Sequence, residues 1–261
     1  MNRRKFLTLA GAAAALAASP VKTFESMTMS ANAASKAKKG AKRWAMAIYT
    51  KEFKRNPQLL DACIKACNVV HNIPHIDSPK SEVKWIWKEK FKHAFIEQEN
   101  ERLPEKINEM TVLLLCNHCD EPPCVNVCPT QATWRREEDG IVMMDWHRCI
   151  GCRYCMAACP YGSRSFNYQD PRPNIPTQHD KFPTRSKGVV EKCTFCAERI
   201  VNGKYIQAPA CVEACQALGS NAIVFGDLYD PNSEISQTLK KHYTIRRKPE
   251  LGTHPEVYYI I

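Results

Sequence analysis

Fourteen cysteines determine most of the chemistry available to this 261-residue chain. Eight of them lie in two closely spaced runs, CNHCDEPPCVNVCPT and CIGCRYCMAACPYG. The gaps between cysteines are two, four and three residues in the first run, and two, two and three in the second. The runs contain Cys116, Cys119, Cys124 and Cys128, and Cys149, Cys152, Cys155 and Cys159.

The other six cysteines occur in pairs. KCTFCAERI contains Cys193 and Cys196, and PACVEACQ contains Cys211 and Cys215. The stretch LDACIKACNVVHNIP contains Cys63 and Cys67, which looks like half of a ligand set.

The second run has the spacing C-x2-C-x2-C-x3-C-P, which is typical of [4Fe–4S] binding in bacterial ferredoxins. Three thiolates on one loop cover three corners of a cubane, and the fourth cysteine ligates a different cluster. We expect this fourth cysteine to begin a helix. We also expect Gly151 to let the backbone approach inorganic sulfur, and Pro129 and Pro160 to fix the turn after each run.

Zinc and disulfides are the alternatives for these cysteines. A zinc site takes four cysteines, or two with two histidines, and His118 and His147 lie nearby in the sequence. Zinc, however, requires neither a third cysteine two residues after the second nor a following proline. Disulfides suit an exported protein but not this spacing. We therefore expect both histidines at the surface or behind the ligands.

The formal charge of +10 raises the question of an acidic partner such as nucleic acid. Residues 1–33 contribute +3, which leaves +7, and the remaining basic residues are scattered in stretches such as SKAKKGAKR and TIRRK. This pattern indicates a solvated surface and no nucleic-acid partner.

The N-terminus resembles an export signal. MNRRKFLTLAGAAAALAAS has a positive start and an apolar run too short for a membrane span. NRRKFL resembles a twin-arginine motif, although Asn2 and Thr8 depart from it, and Ala31 and Ala33 form a small-residue cleavage site. We predict a twin-arginine signal peptide at 1–33 and a location in the periplasm or on the outer face of the cytoplasmic membrane. A plain Sec signal or a retained anchor is the alternative.

The remainder is predicted to be a basic linker at 34–43 and a polyferredoxin-like iron–sulfur domain at 44–261. Strands are expected at 43–50, 111–116, 140–146 and 221–228, each adjoining a cysteine group. This repetition predicts an α+β fold of paired ferredoxin-like halves, a double bacterial-ferredoxin repeat with loop insertions. An insertion is expected at about 70–110, with buried strand residues Trp85 and Trp87, and an irregular loop at 168–188.

The cysteine groups in this order, together with FGDLYDP, resemble the iron–sulfur subunits of the dimethyl-sulfoxide-reductase, polysulfide-reductase and formate-dehydrogenase type over residues 43–258. The export signal and the degenerate first motif look most like the DsrO-like periplasmic subunits of complexes of dissimilatory sulfur metabolism. NrfC-like subunits of nitrite-reducing chains are the alternative.

The resemblance implies crosswise ligation of three [4Fe–4S] clusters. The implied ligand sets are Cys116, Cys119, Cys124 and Cys159; Cys149, Cys152, Cys155 and Cys128; and Cys193, Cys196, Cys211 and Cys67. A fourth family cluster is lost, because Leu60 and Pro57 stand where two of its cysteines should be. Cys63 and Cys215 are left over, either as a disulfide or as two buried free thiols.

Clusters with four thiolates have no open position, so the resemblance implies electron transfer without a catalytic residue. The implied partners are an NrfD-type integral membrane subunit and a multihaem cytochrome c, with membrane association only through partners. A molybdenum catalytic subunit is the rival partner. A catalytic reductase that uses the vacant fourth site, or a structural zinc module, fits the residues less well. We expect Arg148, Arg153, Lys192 and Arg199 to lie near the clusters and to favour their reduced state.

Overall fold

The computed structural model describes residues 41–261 and places them in a mixed α/β fold, as predicted. The predicted signal peptide and most of the predicted linker lie outside the described residues. The strands are β1 (Trp44–Tyr49), β2 (Ile86–Lys90), β3 (Thr111–Leu115), β4 (Thr133–Arg135), β5 (Val142–Met144), β6 (Ser165–Phe166), β7 (Val190–Glu191), β8 (Ile200–Val201), β9 (Lys204–Tyr205), β10 (Ile223–Asp227), β11 (Thr244–Ile245) and β12 (Val257–Ile260).

The helices are short except for one. They are α1 (Thr50–Arg55), α2 (Gln58–Val70), α3 (Phe91–Ala94), α4 (Glu105–Asn108), α5 (Pro123–Asn126), α6 (Tyr154–Ala158), α7 (Ala210–Ala217) and α8 (Glu234–Lys241). Single 3₁₀ turns occur at Ile96–Gln98, Arg172–Asn174, Ala197–Arg199 and Pro249–Leu251. Within residues 41–261 no helix combines the length and the apolar character needed to cross a membrane.

A four-stranded sheet joins the first and last described segments, in the order β10–β1–β12–β11. Strand β1 lies inside it, antiparallel to β10 and parallel to β12. Its small residues Ala45 and Ala47 are fully buried. Gly226 leaves room for Ile235 of α8, since a Cβ there would lie 3.0 Å from the Ile235 side chain. The strands predicted at 43–50 and 221–228 are therefore confirmed.

Each of the other two predicted strands belongs to a two-stranded antiparallel sheet. Strand β3, predicted at 111–116, pairs antiparallel with β2. Strand β5, predicted at 140–146, is shorter than expected and pairs with β4. Trp85 lies fully buried directly before β2, whereas Trp87 is half-buried within it. These tryptophans therefore serve packing, as predicted.

Helices α2 and α7 pack against each other, and α7 also packs against β10 of the main sheet. On α2, the buried residues follow one face at a spacing of three or four, which is the helical period. They are Leu59, Leu60, Cys63 and Cys67. On α7, Cys211 and Cys215 are buried. The apolar faces that join the two helices therefore also carry four cysteines.

The loop predicted at 168–188 is irregular apart from one 3₁₀ turn. It carries Arg185, which is buried and forms an ion pair with Glu191 at 2.7 Å, with both side chains fully buried. The Arg185 guanidinium also lies 5.4 Å from the Trp85 ring centre and donates to the carbonyl of Asn72 at 2.9 Å. This loop is therefore fixed to the core by one buried cation.

The basic linker was predicted to end at residue 43, but Arg43 does not belong to it. Its side chain is buried and pairs with Glu256 at 2.9 Å and Asp120 at 3.2 Å. It also covers Gly140, where a Cβ would lie 1.8 Å from the guanidinium and where φ is +75°. Because a buried cation needs such partners, Arg43 belongs to the folded domain and not to an extended arm.

Replacing Arg185 with Met should lower the free energy of unfolding by about 3–5 kcal/mol, because it leaves the Glu191 carboxylate buried without its cation. Denaturant unfolding followed by tryptophan fluorescence measures this loss. The matched control is Arg172→Met, since Arg172 forms an exposed pair with Asp170 at 2.5 Å and should contribute nothing measurable. Equal losses in the two variants would contradict the importance assigned to the buried pair.

Candidate iron–sulfur cluster sites

One small pocket is lined by four cysteines from both runs. They are Cys116, Cys119, Cys124 and Cys159. Burial and the neighbouring charge of Cys116 raise the pKa of Cys119 to about 12. Burial and the charges of Cys116 and Cys124 also raise the pKa of Cys159. The structure therefore brings together the first predicted ligand set.

The expectation that the fourth cysteine of each run begins a helix is wrong. Cys159 follows the last residue of α6 and is extended, with φ −79° and ψ 110°. Cys128 likewise comes after α5. The reason is the proline that follows each cysteine, which disfavours the helical conformation of the residue before it. Pro129 and Pro160 thus turn the chain after a helix that has already ended.

The second predicted set lies nearer the surface. Cys128, Cys149 and Cys152 are half-buried, and Cys155 is buried. Three of these residues pack around one small apolar cluster that includes Val142; they are Cys128, Cys149 and Cys155. Burial raises the pKa of Cys128, but backbone N–H groups of Thr133 and its neighbours outweigh burial and lower it overall.

Gly151, within the second run, has φ +70°. A Cβ there would lie 2.4 Å from the carbonyl oxygen of Gly188 and 3.2 Å from the Phe166 ring. Glycine is therefore required at position 151 because the 168–188 loop approaches it closely. The sequence analysis had attributed this glycine to an approach of the backbone to inorganic sulfur.

The third predicted set is fully enclosed. Cys67, Cys193, Cys196 and Cys211 are all buried. The backbone N–H of Phe195 donates to Cys193 Sγ at 3.4 Å, and that of Ala210 donates to Cys196 Sγ at 3.4 Å. Burial, followed by the charges of Cys67 and Cys116, raises the pKa of Cys193 well above its usual range. These four thiols therefore share one environment, and N–H donors are ready to stabilise thiolate sulfur.

His71 adjoins this third set and was missed by the sequence analysis. It is buried, with Nδ1 3.6 Å from Cys67 Sγ and Nε2 3.0 Å from Glu198 Oε1. His71, Cys196 and Glu198 offer ligand atoms within 4.8 Å of one another. Burial is the largest single effect and lowers the pKa of His71, but the Cys67 thiolate together with hydrogen bonds to Cys196, Cys67 and Glu198 outweighs burial and raises the pKa. The only sequence signal is its position four residues after Cys67 on the same helical face.

Cys63 and Cys215 lie one helical turn away from the third set. Both are fully buried free thiols, and their Sγ atoms are 3.1 Å apart. The hydrogen bond between them raises the pKa of Cys63 and lowers that of Cys215. Cys63 Sγ also lies 3.3 Å from the carbonyl oxygen of Cys211.

Two buried cations stand between the cysteine sets. Arg164 Nη2 donates to Cys124 Sγ at 3.0 Å and to Thr133 Oγ1 at 2.9 Å. Lys192 Nζ donates to the carbonyl oxygens of Cys193, at 2.8 Å, and Val142. Burial lowers the pKa of both side chains, whereas nearby thiolates raise it, and the balance is a raised pKa for Arg164 and a lowered one for Lys192.

Within residues 41–261, neither cation forms an ion pair with a carboxylate. A buried charge without a counter-charge is costly, so Arg164 and Lys192 require a negative group among the cysteines. Cluster cores bound by four thiolates carry net negative charge, which would hold both side chains in their protonated form. The residues present therefore fit [4Fe–4S] clusters.

The other three predicted cations are not enclosed among the cysteines. Arg148 and Arg153 are exposed; Arg148 pairs with Asp145 at 3.4 Å, and Arg153 covers the Phe166 ring at 5.3 Å. Arg199 pairs with Glu213 at 2.7 Å. Of the four predicted residues, only Lys192 is enclosed among the cysteines, as described above.

The two histidines of the runs differ in position. His147 is exposed, as expected. His118 is buried behind the first set, where its ring stacks on Phe195 at 3.7 Å and its Nδ1 accepts from the N–H of Val142 at 3.1 Å. Burial and the charge of Lys192 lower its pKa well below the usual range, which favours a neutral ring.

Comparison with known proteins agrees with this chemistry. Residues 109–227 match the family model of a 4Fe-4S dicluster domain. Over 99% of its length, the chain is 41% identical to iron–sulfur subunit 1 of an Hdr-like menaquinol oxidoreductase from Archaeoglobus fulgidus, and the match covers 97% of that protein. The chain belongs to the family of ferredoxin-type iron–sulfur subunits of oxidoreductase complexes.

Two further relatives show the breadth of this family. The iron–sulfur cluster-binding subunit of a menaquinone reductase from Nitratidesulfovibrio vulgaris is 36% identical over 76% of this chain and 82% of its own length. Protein NrfC of Escherichia coli is 44% identical over 55% of this chain and 54% of its own length. The predicted resemblance is therefore confirmed, and this iron–sulfur subunit is related to electron-transfer components.

Replacing Arg164 with Gln should shift the reduction potential of at least one cluster to a more negative value, because a buried positive charge favours the reduced, more negative cluster. Potentiometric titration followed by electron paramagnetic resonance measures the shift. Arg164→Lys, which retains the charge, should shift the potential less. Arg148→Gln, which removes an exposed and solvent-screened charge, should also shift it less. Equal shifts in the two glutamine variants would contradict this role for Arg164.

Proposed function

We propose that the protein carries three [4Fe–4S] clusters and relays electrons between a quinone-interacting membrane subunit and a periplasmic redox partner. The carrying observation is that cysteines from each of the three predicted sets surround two buried cations, Arg164 and Lys192, which have no carboxylate partner within residues 41–261. The first cluster would be held by Cys116, Cys119, Cys124 and Cys159; the second by Cys149, Cys152, Cys155 and Cys128; and the third by Cys193, Cys196, Cys211 and Cys67.

The contacts between the sets support a row of three clusters. Lys192 Nζ donates to the carbonyl oxygen of Cys193, in the third set, and to that of Val142, which lines the pocket of the first set, so the first and third sets would be neighbours. Cys124 of the first set and Cys155 of the second pack in one apolar cluster, so the first and second sets would also be neighbours. The first cluster thus lies between the other two, and electrons would pass along the row in single steps.

The two ends of this row differ. At the second set three of four cysteines are half-buried, whereas at the third set all four are buried. We therefore assign the contact with a redox partner to the surface around the second set.

Short helices α5 and α6 and the antiparallel strand pairs β4–β5 and β6–β7 surround the first two sets. This repetition supports paired ferredoxin-like halves.

The proposed role is electron transfer without catalysis. Four thiolates around each cubane leave no iron position free for a substrate, so the clusters exchange electrons only. Backbone N–H donors and buried cations would set their potentials. Each ligand set already holds four cysteines, and the two remaining cysteines are too few to bind a further cubane.

Menaquinol or menaquinone is the proposed electron carrier on the membrane side. The A. fulgidus and N. vulgaris relatives are named for a menaquinol oxidoreductase and a menaquinone reductase, and both align over most of this chain. Together with the resemblance to DsrO-like subunits, this supports a Dsr-type respiratory complex of sulfur metabolism. The partners would be an NrfD-type integral membrane subunit and a multihaem cytochrome c. The predicted twin-arginine signal would place the subunit in the periplasm.

A molybdenum-containing reductase and an NrfC-like chain are supported less. The relatives named for a dimethyl sulfoxide reductase, an arsenate respiratory reductase and NrfC each match only 55–56% of this chain. The parts of this chain that these matches do not cover distinguish it from those relatives.

The cluster count is tested by metal and sulfide analysis of the anaerobically purified protein. Three clusters correspond to about twelve irons and twelve acid-labile sulfides per chain. Cys67→Ser should lose one cluster, or about four irons. Cys63→Ser is the matched control on the same helical face and should lose none. Full iron content in both variants would show that the crosswise ligand sets are wrong, and zinc without sulfide would exclude clusters altogether.

The proposed partners are tested by affinity purification from detergent-solubilised membranes. We expect an integral membrane subunit and a protein with covalently bound haem to co-purify with the iron–sulfur subunit. The absorbance of c-type haem and mass spectrometry identify them. The main proposal would be replaced by its rival if a molybdenum-containing subunit co-purified instead.

A further inference from the structure

Helices α2 and α7 each carry two cysteines one helical turn apart. On α2 they are Cys63 and Cys67, and on α7 they are Cys211 and Cys215. Residues four apart lie on the same helical face. Cys67 and Cys211, one from each helix, belong to the third set. The other two, Cys63 and Cys215, contact each other.

The Cys63–Cys215 contact is close to a covalent geometry. The two Sγ atoms are 3.1 Å apart, and a disulfide bond measures about 2.05 Å. Bonding therefore requires the sulfurs to approach by only about 1 Å, which side-chain rotation and a small helix shift can supply. Neither thiol belongs to a proposed ligand set, so neither is needed to bind iron.

We propose that Cys63 and Cys215 form a disulfide that fastens α2 to α7 and thereby holds Cys67 and Cys211 at the third cluster. The location of the bond rests on geometry alone, whereas its effect on the cluster rests on the proposed function.

The bond forms by exchange with a small-molecule disulfide, which reaches the two buried thiols when α2 and α7 transiently part. Two S–H bonds break and one S–S bond forms between Cys63 and Cys215, which together give up two electrons and two protons. The small disulfide accepts both electrons and both protons, its S–S bond breaks, and two thiols are released. Disulfides persist in oxidising compartments outside the cytoplasm, where the predicted export signal would place this protein.

The position of the link explains why it would matter. The two cysteines are separated by 152 positions in the sequence, and cross-links that close long loops restrict the unfolded chain strongly. More locally, α2 and α7 must move apart before iron can leave the third set, since its ligands Cys67 and Cys211 lie on different helices. A disulfide one turn away opposes that opening.

The bond itself is tested on the holoprotein equilibrated anaerobically with oxidised glutathione. The protein is then denatured, its thiols are alkylated, and digested peptides are analysed by mass spectrometry. We expect one linked peptide pair that contains Cys63 and Cys215, absent from Cys63→Ser and from Cys215→Ser. Complete alkylation of both thiols in the wild-type protein would overturn the proposal. Cys63→Ala serves if the serine variant does not fold.

The effect on the cluster is tested by the rate of iron release to a chelator. The linked wild-type protein should release the iron of its third cluster several-fold more slowly than the same protein after reduction of the bond, or than Cys63→Ser. Equal rates would overturn the fastening role. Iron and sulfide measured beforehand separate the two proposals, because a protein that never held three clusters contradicts the proposed function and not the disulfide.

Discussion

The charge balance inside the cysteine-lined core is the constraint on which the rest of the structure depends. Arg164 and Lys192 are buried among thiols, and Arg164 contacts Cys124 Sγ at 3.0 Å. Isolated cations at such depth would be strongly unfavourable. Clusters bound by thiolates are anionic, and they too are unfavourable in an apolar interior without positive charge nearby. Each component therefore makes burial of the other possible.

The secondary structure outside the cysteine loops holds these cations in place. Lys192 follows β7, and its ammonium group bonds to the carbonyl of Val142 in β5. Glu191, in β7, pairs with Arg185 and accepts a hydrogen bond from Trp85 Nε1 at 2.9 Å. The loop at 168–188, and Trp85 directly before β2, thus stabilise the strand that delivers Lys192. Segments that contain no cysteine nevertheless determine the electrostatic environment of the sites.

Sequence reasoning could predict features encoded by local spacing and missed those that depend on tertiary contact. The cysteine runs and their adjoining strands are local patterns. Arg164 was missed because it meets Cys124 from 40 positions away, and Arg43 was assigned to a linker because its partner Glu256 lies at the other end of the chain. His118 was expected at the surface or behind the ligands, and only its stacking on Phe195, which joins two distant loops, decides for the buried position.

The number of electrons that the protein accepts tests the central claim most directly. Stepwise anaerobic reduction, followed by electron paramagnetic resonance with spin integration, counts the clusters that take up an electron. Three neighbouring clusters in a row predict uptake of about three electrons per chain, with spectra broadened by interaction between adjacent spins. Uptake of two electrons or fewer, or three signals without mutual broadening, would contradict the row of three clusters.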